Sequence, residues 1–208
     1  MIKEYSEEIN GIKFNYCIEE VLSSQMRPIL NALSGIPKEK IVDGFRIGVG
    51  FSIYTLTGNN NEFDIIVSDY TKSPFVDTTK DLSLAIWIQY EQALFLREHN
   101  IEGRAIRFDD VIAVAKEALD KESISMPRFS DLGGSGWCIN EVRIDENKKF
   151  SIRDTDEYET IYAYQLLHFR PQLMNTLLLP YDYIVVCNGD EVVEVLNDKD
   201  ESIIGNQS

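Results

Sequence analysis

The chain has 208 residues, 44% of them hydrophobic and 11% aromatic, so it can bury a sizeable core. Asp and Glu number 35 against 20 Lys and Arg, and the net charge of −15 disfavours nucleic acid and anionic membranes as partners. This acidity favours a basic protein partner, although many chains are acidic simply to remain soluble. The start lacks a basic segment followed by an apolar run, and no apolar run approaches the ~20 residues that span a bilayer. We therefore expect a cytoplasmic protein.

The first predicted elements are a strand and a helix. Apolar and polar residues alternate over residues 12–18, which predicts a half-buried strand entered through the turn signal Asn10–Gly11. A helix is expected next, with Ser23 or Ser24 as its N-cap and Pro28 in or near its first turn.

Three further elements are predicted before residue 100. Residues 44–56 predict one long strand with Phe45 to Ile53 alternating on one face, and residues 63–70 predict the returning strand. Residues 80–99 are apolar nearly all round, which predicts a long, central helix.

The middle of the chain predicts a division into two lobes. A short strand over 104–108 and a helix over 110–119, capped by Asp109, precede a segment rich in turn-forming residues at 120–136. We expect an N-terminal lobe at 1–128, a C-terminal module at 132–200 and a frayed tail at 201–208.

The C-terminal part predicts strands, helices and a hairpin. Strands are expected at 137–142 and around Phe150 and Ile152, followed by a helix over 158–169 with Asp156 and Glu159 as a capping box. A short helix follows Pro171, and Asn188–Gly189 predicts a two-residue hairpin turn. The order of the elements indicates an α+β fold with mostly antiparallel sheets, packed helices and two lobes.

The glycine-rich stretch DLGGSG at 131–136 is the most enzyme-like segment. A hydrolase elbow requires G-x-S-x-G, but Trp137 occupies the second glycine position, and no predicted element brings a histidine to Ser135. A phosphate-binding loop requires a lysine directly after the glycines, whereas the next lysine is Lys148. Ser135 is therefore interpreted as a turn residue.

The remaining reactive side chains do not form a recognisable constellation. His99 and His168 are isolated, and the three cysteines, Cys17, Cys138 and Cys187, lie far apart in apolar surroundings typical of small buried hydrophobes. Paired acids are abundant, and none is singled out as a catalytic pair. We expect no catalytic residue, no metal ligand and no cofactor.

Acidic residues are concentrated near the C-terminus. Residues 154–201 hold eleven acidic residues against Arg170 and Lys199, a local charge of −9. This is either ordinary solvated surface or an acidic surface that steers a basic partner. On the second interpretation, the partner-binding residues include acids of two segments and nearby tyrosines, with Tyr181 or Tyr183 as further anchors: Asp154, Asp156, Glu157, Glu159, Asp190, Glu191, Glu194, Tyr158 and Tyr162.

Three segments carry a family resemblance. SGWCI at 135–139, HFRPQLMNTLLLPYDYIVV at 168–186 and GDEVVEVLND at 189–198 resemble a module of bacterial immunity proteins from polymorphic toxin systems. The resemblance implies a protein that binds and blocks a cognate toxin without catalysing a reaction.

Four functions are consistent with these observations. The leading one is a cytoplasmic immunity protein that neutralises a basic toxin through an acidic surface, without nucleic acid or membrane as partner. The alternatives are an anionic mimic of nucleic acid that inhibits a DNA-binding enzyme, a small enzyme that uses carboxylates alone, and a scaffold or adaptor.

Overall fold

The chain forms two compact units. A computed structural model describes residues 1–144, 150–152 and 157–204. The units comprise Met1–Glu91 and Gln92–Ser208. The sequence placed the division between residues 128 and 132, which falls inside the second unit.

The first unit is built on a six-stranded sheet. Its elements are β1 (Ile2–Ile9), β2 (Ile12–Glu19), α1 (Arg27–Ser34), β3 (Arg46–Val49), β4 (Ser52–Asn59), β5 (Glu62–Ser68), β6 (Thr78–Thr79) and α2 (Ser83–Glu98), which extends past the unit boundary. The strand order is β1-β2-β5-β4-β3, with β6 paired to β5, and β2–β5 is a parallel pair among antiparallel ones.

The first predicted strand and helix are present, but the helix begins later than expected. The alternating residues of β2 are buried on one face, as predicted. A 3₁₀ helix occupies Glu20–Met26, so Met26 rather than Ser23 or Ser24 is the N-cap of α1. Pro28 lies in the first turn of α1, where its missing N–H breaks no helical hydrogen bond.

The single strand predicted over residues 44–56 is wrong. Val49 pairs with Ser52, so Gly50 and Phe51 form a two-residue hairpin turn between β3 and β4. Gly50 has φ +58°, a conformation that glycine adopts without steric cost. The turn reverses the chain, so Ser52, Tyr54 and Leu56 face inward in β4 instead of Ile53.

The second unit contains an eight-stranded sheet. Its elements are β7 (Val111–Ala115), β8 (Ser123–Pro127), β9 (Cys138–Ile144), β10 (Phe150–Ile152), β11 (Tyr158–Tyr162), α3 (Leu166–Phe169), β12 (Ile184–Asn188), β13 (Glu191–Leu196) and β14 (Ser202–Ile204). Among the described residues, 3₁₀ helices occupy Ala118–Asp120, Ala163–Gln165 and Pro171–Thr176. The strand order is β11-β7-β9-β8-β12-β13-β14, with β10 paired to β9, and β7–β9 is parallel.

The predicted strand at 104–108 and helix at 110–119 are both wrong. Residues 104–107 have no regular secondary structure. VIAVA forms the strand β7, which lies between β11 and β9, and its side chains Ile112 and Val114 are buried. A short run rich in Val and Ile fits a buried strand, and its periodicity alone does not separate strand from helix. Asp109 forms an ion pair with Arg107 instead of capping a helix.

Two other C-terminal predictions are also corrected. The segment 120–136 contains β8, which lies between β9 and β12 and therefore does not act as a linker. The helix expected over 158–169 begins as β11, because the sequence YETIY favours a strand, and helical turns start only at Ala163. Asp156 of the proposed capping box lies outside the described residues.

The predicted C-terminal hairpin is confirmed with a shifted turn. Asn188 pairs with Glu191, so the turn residues are Gly189 and Asp190 rather than Asn188 and Gly189. Gly189 has φ +58°, as the first position of this tight turn requires. Part of the tail expected to be frayed is β14, which pairs with β13.

The predicted α+β class with mostly antiparallel sheets is confirmed. Among the described helices, none has both the length and the apolar character needed to cross a membrane.

The cysteines give a test of this core. Cys187 and Cys138 are buried, whereas Cys17 is partly accessible. Burial raises the pKa of the Cys187 thiol to about 12 and also raises the pKa of Cys138 and of Cys17. Since the reagent must also reach the thiol, iodoacetamide at about pH 8 should label the accessible Cys17 first and the two buried thiols only after unfolding in urea. Peptide mass spectrometry measures this order, and rapid native labelling of Cys187 would contradict the placement of β12.

Candidate functional site

The described acids of the proposed binding surface form two separate clusters. Glu157 directly precedes β11 and Glu159 lies within it, whereas Asp190 and Glu191 lie at the β12–β13 turn. Because β11 is first and β13 sixth in the strand order, neighbouring strands do not carry them. Asp154 and Asp156 lie outside the described residues.

The exposure of these acids differs. Glu157, Glu159, Asp190 and Glu191 are exposed, and Glu194 is half-buried in β13. Glu157 Oε2 lies 2.8 Å from Lys116 Nζ, and this hydrogen bond lowers the pKa of Glu157 and raises the pKa of Lys116. Both groups are at the surface, where such a pair contributes little to stability.

The four candidate tyrosines occupy different environments. Tyr158 and Tyr162 on β11 are exposed, and the Tyr158 hydroxyl donates a hydrogen bond of 2.8 Å to Asn140 Oδ1. Tyr181 is half-buried and its ring lies against two guanidinium groups, 4.3 Å from that of Arg104 and 5.0 Å from that of Arg128. Tyr183 is half-buried. The positions on β11 are thus the more accessible ones.

A polar groove on the sheet of the first unit gathers carboxylates and lysines. Lys13 Nζ lies 2.7 Å from Glu62 Oε1, and Lys80 pairs with Asp64. The contact with Lys13 lowers the pKa of Glu62. A carboxyl that acts as a general acid needs its pKa raised, so the shift of Glu62 is in the opposite direction. The paired lysines and carboxylates of this groove therefore form a charged face of the sheet.

The described residues hold no group of three or more His, Cys, Asp or Glu side chains arranged to bind a metal ion. The His99 ring nitrogen Nδ1 lies 2.8 Å from the carbonyl oxygen of Phe95 in α2.

Ser135 is a buried turn residue, as predicted. Its hydroxyl donates a hydrogen bond of 2.6 Å to the carbonyl oxygen of Val111 and accepts one from the backbone N–H of Trp137. Both bonds connect the turn to the sheet, which gives the serine a structural role.

The turn that contains Ser135 is the end of a β8–β9 hairpin. Arg128 and Trp137 form a β-bridge at its base, and residues 129–134 between them are all exposed. We call residues 129–134 the hairpin tip. Gly136 closes the tip with φ +80°, and its backbone lies so close to Phe129 that a Cβ atom would stand 2.4 Å from the Phe129 carbonyl oxygen.

The base of the hairpin contains a buried arginine that the sequence analysis missed. Arg128 is only 2% exposed, and Nε donates a hydrogen bond of 2.9 Å to the carbonyl oxygen of Ser135. The other guanidinium nitrogens donate to carbonyl oxygens of two further segments, those of Arg104, Ala105, Leu177 and Leu179. The apolar, β-forming residues before it in SISMPRF were the signal that could have placed Arg128 at the end of a strand.

The comparisons with known proteins identify the second unit. The family model of the Imm33-like domain matches residues 91–198, slightly more than half of the chain. No curated protein and no solved structure matches the chain significantly. The matched region, which covers more than half of the chain, shows a protein of an immunity family. The chain belongs to the Imm33-like family, and the predicted membership is confirmed over a longer region than the C-terminal third.

The role of Arg128 can be tested by its removal. Arg128→Met leaves the buried carbonyl groups without their donor, so we expect a loss of about 3–5 kcal/mol in the free energy of unfolding. The control Arg107→Met removes only an exposed ion pair and should cost at most about 1 kcal/mol. Urea unfolding followed by tryptophan fluorescence measures both, and equal losses would contradict the assigned role.

Two glycines of the same loop form a second test. Gly136 and Gly133 both have positive φ, but only at Gly136 would a Cβ atom meet another group, since nothing lies within 4 Å of that position at Gly133. Gly133→Ala should therefore cost about 1 kcal/mol, and Gly136→Ala about 2–4 kcal/mol. The difference between the two unfolding free energies isolates the steric term, and a value near zero would show that the loop relaxes without cost.

Proposed function

We propose that this protein neutralises a cognate bacterial toxin by binding it directly, without catalysing a reaction. Membership of an immunity family is the observation that carries the proposal, because it implies a toxin as the partner. An inhibitor that acts by binding needs a complementary surface rather than reactive groups. Such an inhibitor must be present where the toxin acts, which we propose is the cytoplasm.

The charge distribution supports a basic toxin. Residues 92–208 contain 22 Asp and Glu against 12 Lys and Arg, so they carry −10 of the total charge of −15. Two of the cations, Arg128 and Arg170, are buried on backbone carbonyls and are not offered to a partner. Excess negative charge of this kind accelerates encounter with a positively charged surface and disfavours nucleic acid and anionic lipid.

The two acidic clusters have a steering role in this proposal. Glu157 precedes β11 and Glu159 lies within it, whereas Asp190, Glu191 and Glu194 lie on the β12–β13 hairpin. Exposed acids at the rim of an interface change the association rate and its salt dependence more than the dissociation rate.

Binding to the toxin encoded beside its own gene tests the function. The purified chain, mixed with that toxin after its active site has been inactivated, should form a complex with a Kd of about 1 μM or tighter. Raising the salt from roughly 0.05 M to 0.5 M should slow association about tenfold or more, because the attraction is screened. Surface plasmon resonance measures both quantities.

An unrelated toxin domain of similar charge provides the control, and it should bind at least about 100-fold more weakly. The absence of association with the neighbouring toxin at micromolar concentration would rule out the proposed function. Equal binding of both toxins would show attraction by charge without recognition.

A further inference from the structure

The hairpin tip exposes two large apolar side chains on a short segment. Phe129 is 42% exposed and Leu132 is 47% exposed, and the residues between and after them are polar or glycine. The residues at the base, from Ser135 onward, are buried. These side chains expose apolar surface to water. A partner that covered them would remove this surface from water, which is favourable for binding.

The tip is held in one conformation by its base. Phe129 N–H donates to the carbonyl oxygen of Gly136 at 2.8 Å, and Gly136 N–H donates to that of Gly133 at 2.9 Å. Ser135 ties the same loop to Val111 through both its N–H and its hydroxyl. A loop that is ordered before binding loses little conformational entropy in a complex, which favours affinity.

Two other exposed apolar side chains lie at the same end of the sheet. Val111 begins β7, its carbonyl oxygen contacts the loop at Ser135, and it is 39% exposed. Tyr162 is the register partner of Val111 on β11 and is 41% exposed. We call Phe129, Leu132, Val111 and Tyr162 the tip patch.

The charges around the tip patch select the kind of partner. Asp131 is exposed between the two apolar residues of the tip. Asp110 directly precedes Val111, where it is half-buried and accepts a hydrogen bond from the backbone N–H of Arg107. Together with the net charge of −10 of this unit, these acids oppose an anionic lipid surface and complement a basic one. Aromatic and aliphatic anchors surrounded by charged residues are typical of protein interfaces.

We propose that the tip patch is the anchoring part of the toxin interface, and that it inserts Phe129 and Leu132 into an apolar recess on a basic face of the toxin. This inference rests on the proposed function and assigns it to a surface that differs from the two acidic clusters. The clusters guide the encounter, and the tip patch holds the complex together.

The test uses the full chain and the inactivated toxin encoded beside its gene. The double variant Phe129→Ser, Leu132→Ser should weaken binding about 30-fold or more, chiefly through faster dissociation, because anchors dominate interface energy. Asp131→Asn should slow association by about two- to fivefold and leave dissociation nearly unchanged.

The matched control is Phe169→Ser. Phe169 is 52% exposed, lies in the same unit at the end of α3, and is not part of the tip patch. Its variant should bind within about threefold of the unaltered chain. Urea unfolding checks that the control and the double variant keep the same midpoint, and single variants at Phe129 and Leu132 replace the double variant if its midpoint falls.

Three results would overturn the inference. If the unaltered chain binds and the double variant binds equally well, the toxin interface lies elsewhere although the proposed function stands. If the unaltered chain does not bind, the proposed function fails and the inference with it. If sedimentation shows that the chain alone dimerises and the double variant does not, the tip patch is a contact between two copies of this chain.

Discussion

The second unit depends on one buried cation, the side chain of Arg128. No carboxylate of the described residues lies within ion-pair distance of it. The guanidinium of Arg128 is surrounded by backbone carbonyl oxygens from residues 104–105, 135 and 177–179. Burial of a charge is costly, and here it lowers the pKa of the arginine, but hydrogen bonds to carbonyls offset the cost. Each segment is irregular where it meets Arg128, so the side chain supplies the donors that a neighbouring strand would otherwise provide. One residue thus fixes the positions of three loops.

Arg170 repeats this arrangement elsewhere in the same unit. It is 9% exposed and donates to the carbonyl oxygens of Gly189, Leu119 and Lys121, which joins the β12–β13 turn to the segment before β8. The planar guanidinium, with its several fixed donors, can satisfy carbonyls from two segments at once, whereas the point charge of a lysine has no such geometry. The two arginines therefore order loops that connect the strands of a mostly antiparallel sheet.

How much the sequence could predict depended on the length and context of each pattern. The alternation of β2, the long apolar run of α2 and the glycine turn between β12 and β13 are strong local signals, and all three elements are present. VIAVA and YETIY are five residues long, and at that length sheet neighbours decide the conformation more than periodicity does. The candidate site was harder still, because the acids are common surface residues and the base of the hairpin tip is held by contacts with distant carbonyls. No local pattern reports that Arg128 lies against residues 104–105 and 177–179.

The buried base of the β8–β9 hairpin explains how its exposed tip can serve recognition. A flexible apolar loop would lose conformational entropy on binding and would collapse onto its own surface when free. Here Arg128, Ser135 and Gly136 fix the loop, so the cost of ordering it is met during folding. In the proposed complex, the acidic residues and the hairpin tip therefore have different roles. Acids on the rim set the rate of encounter with a basic toxin, and the preorganised tip sets the lifetime of the complex.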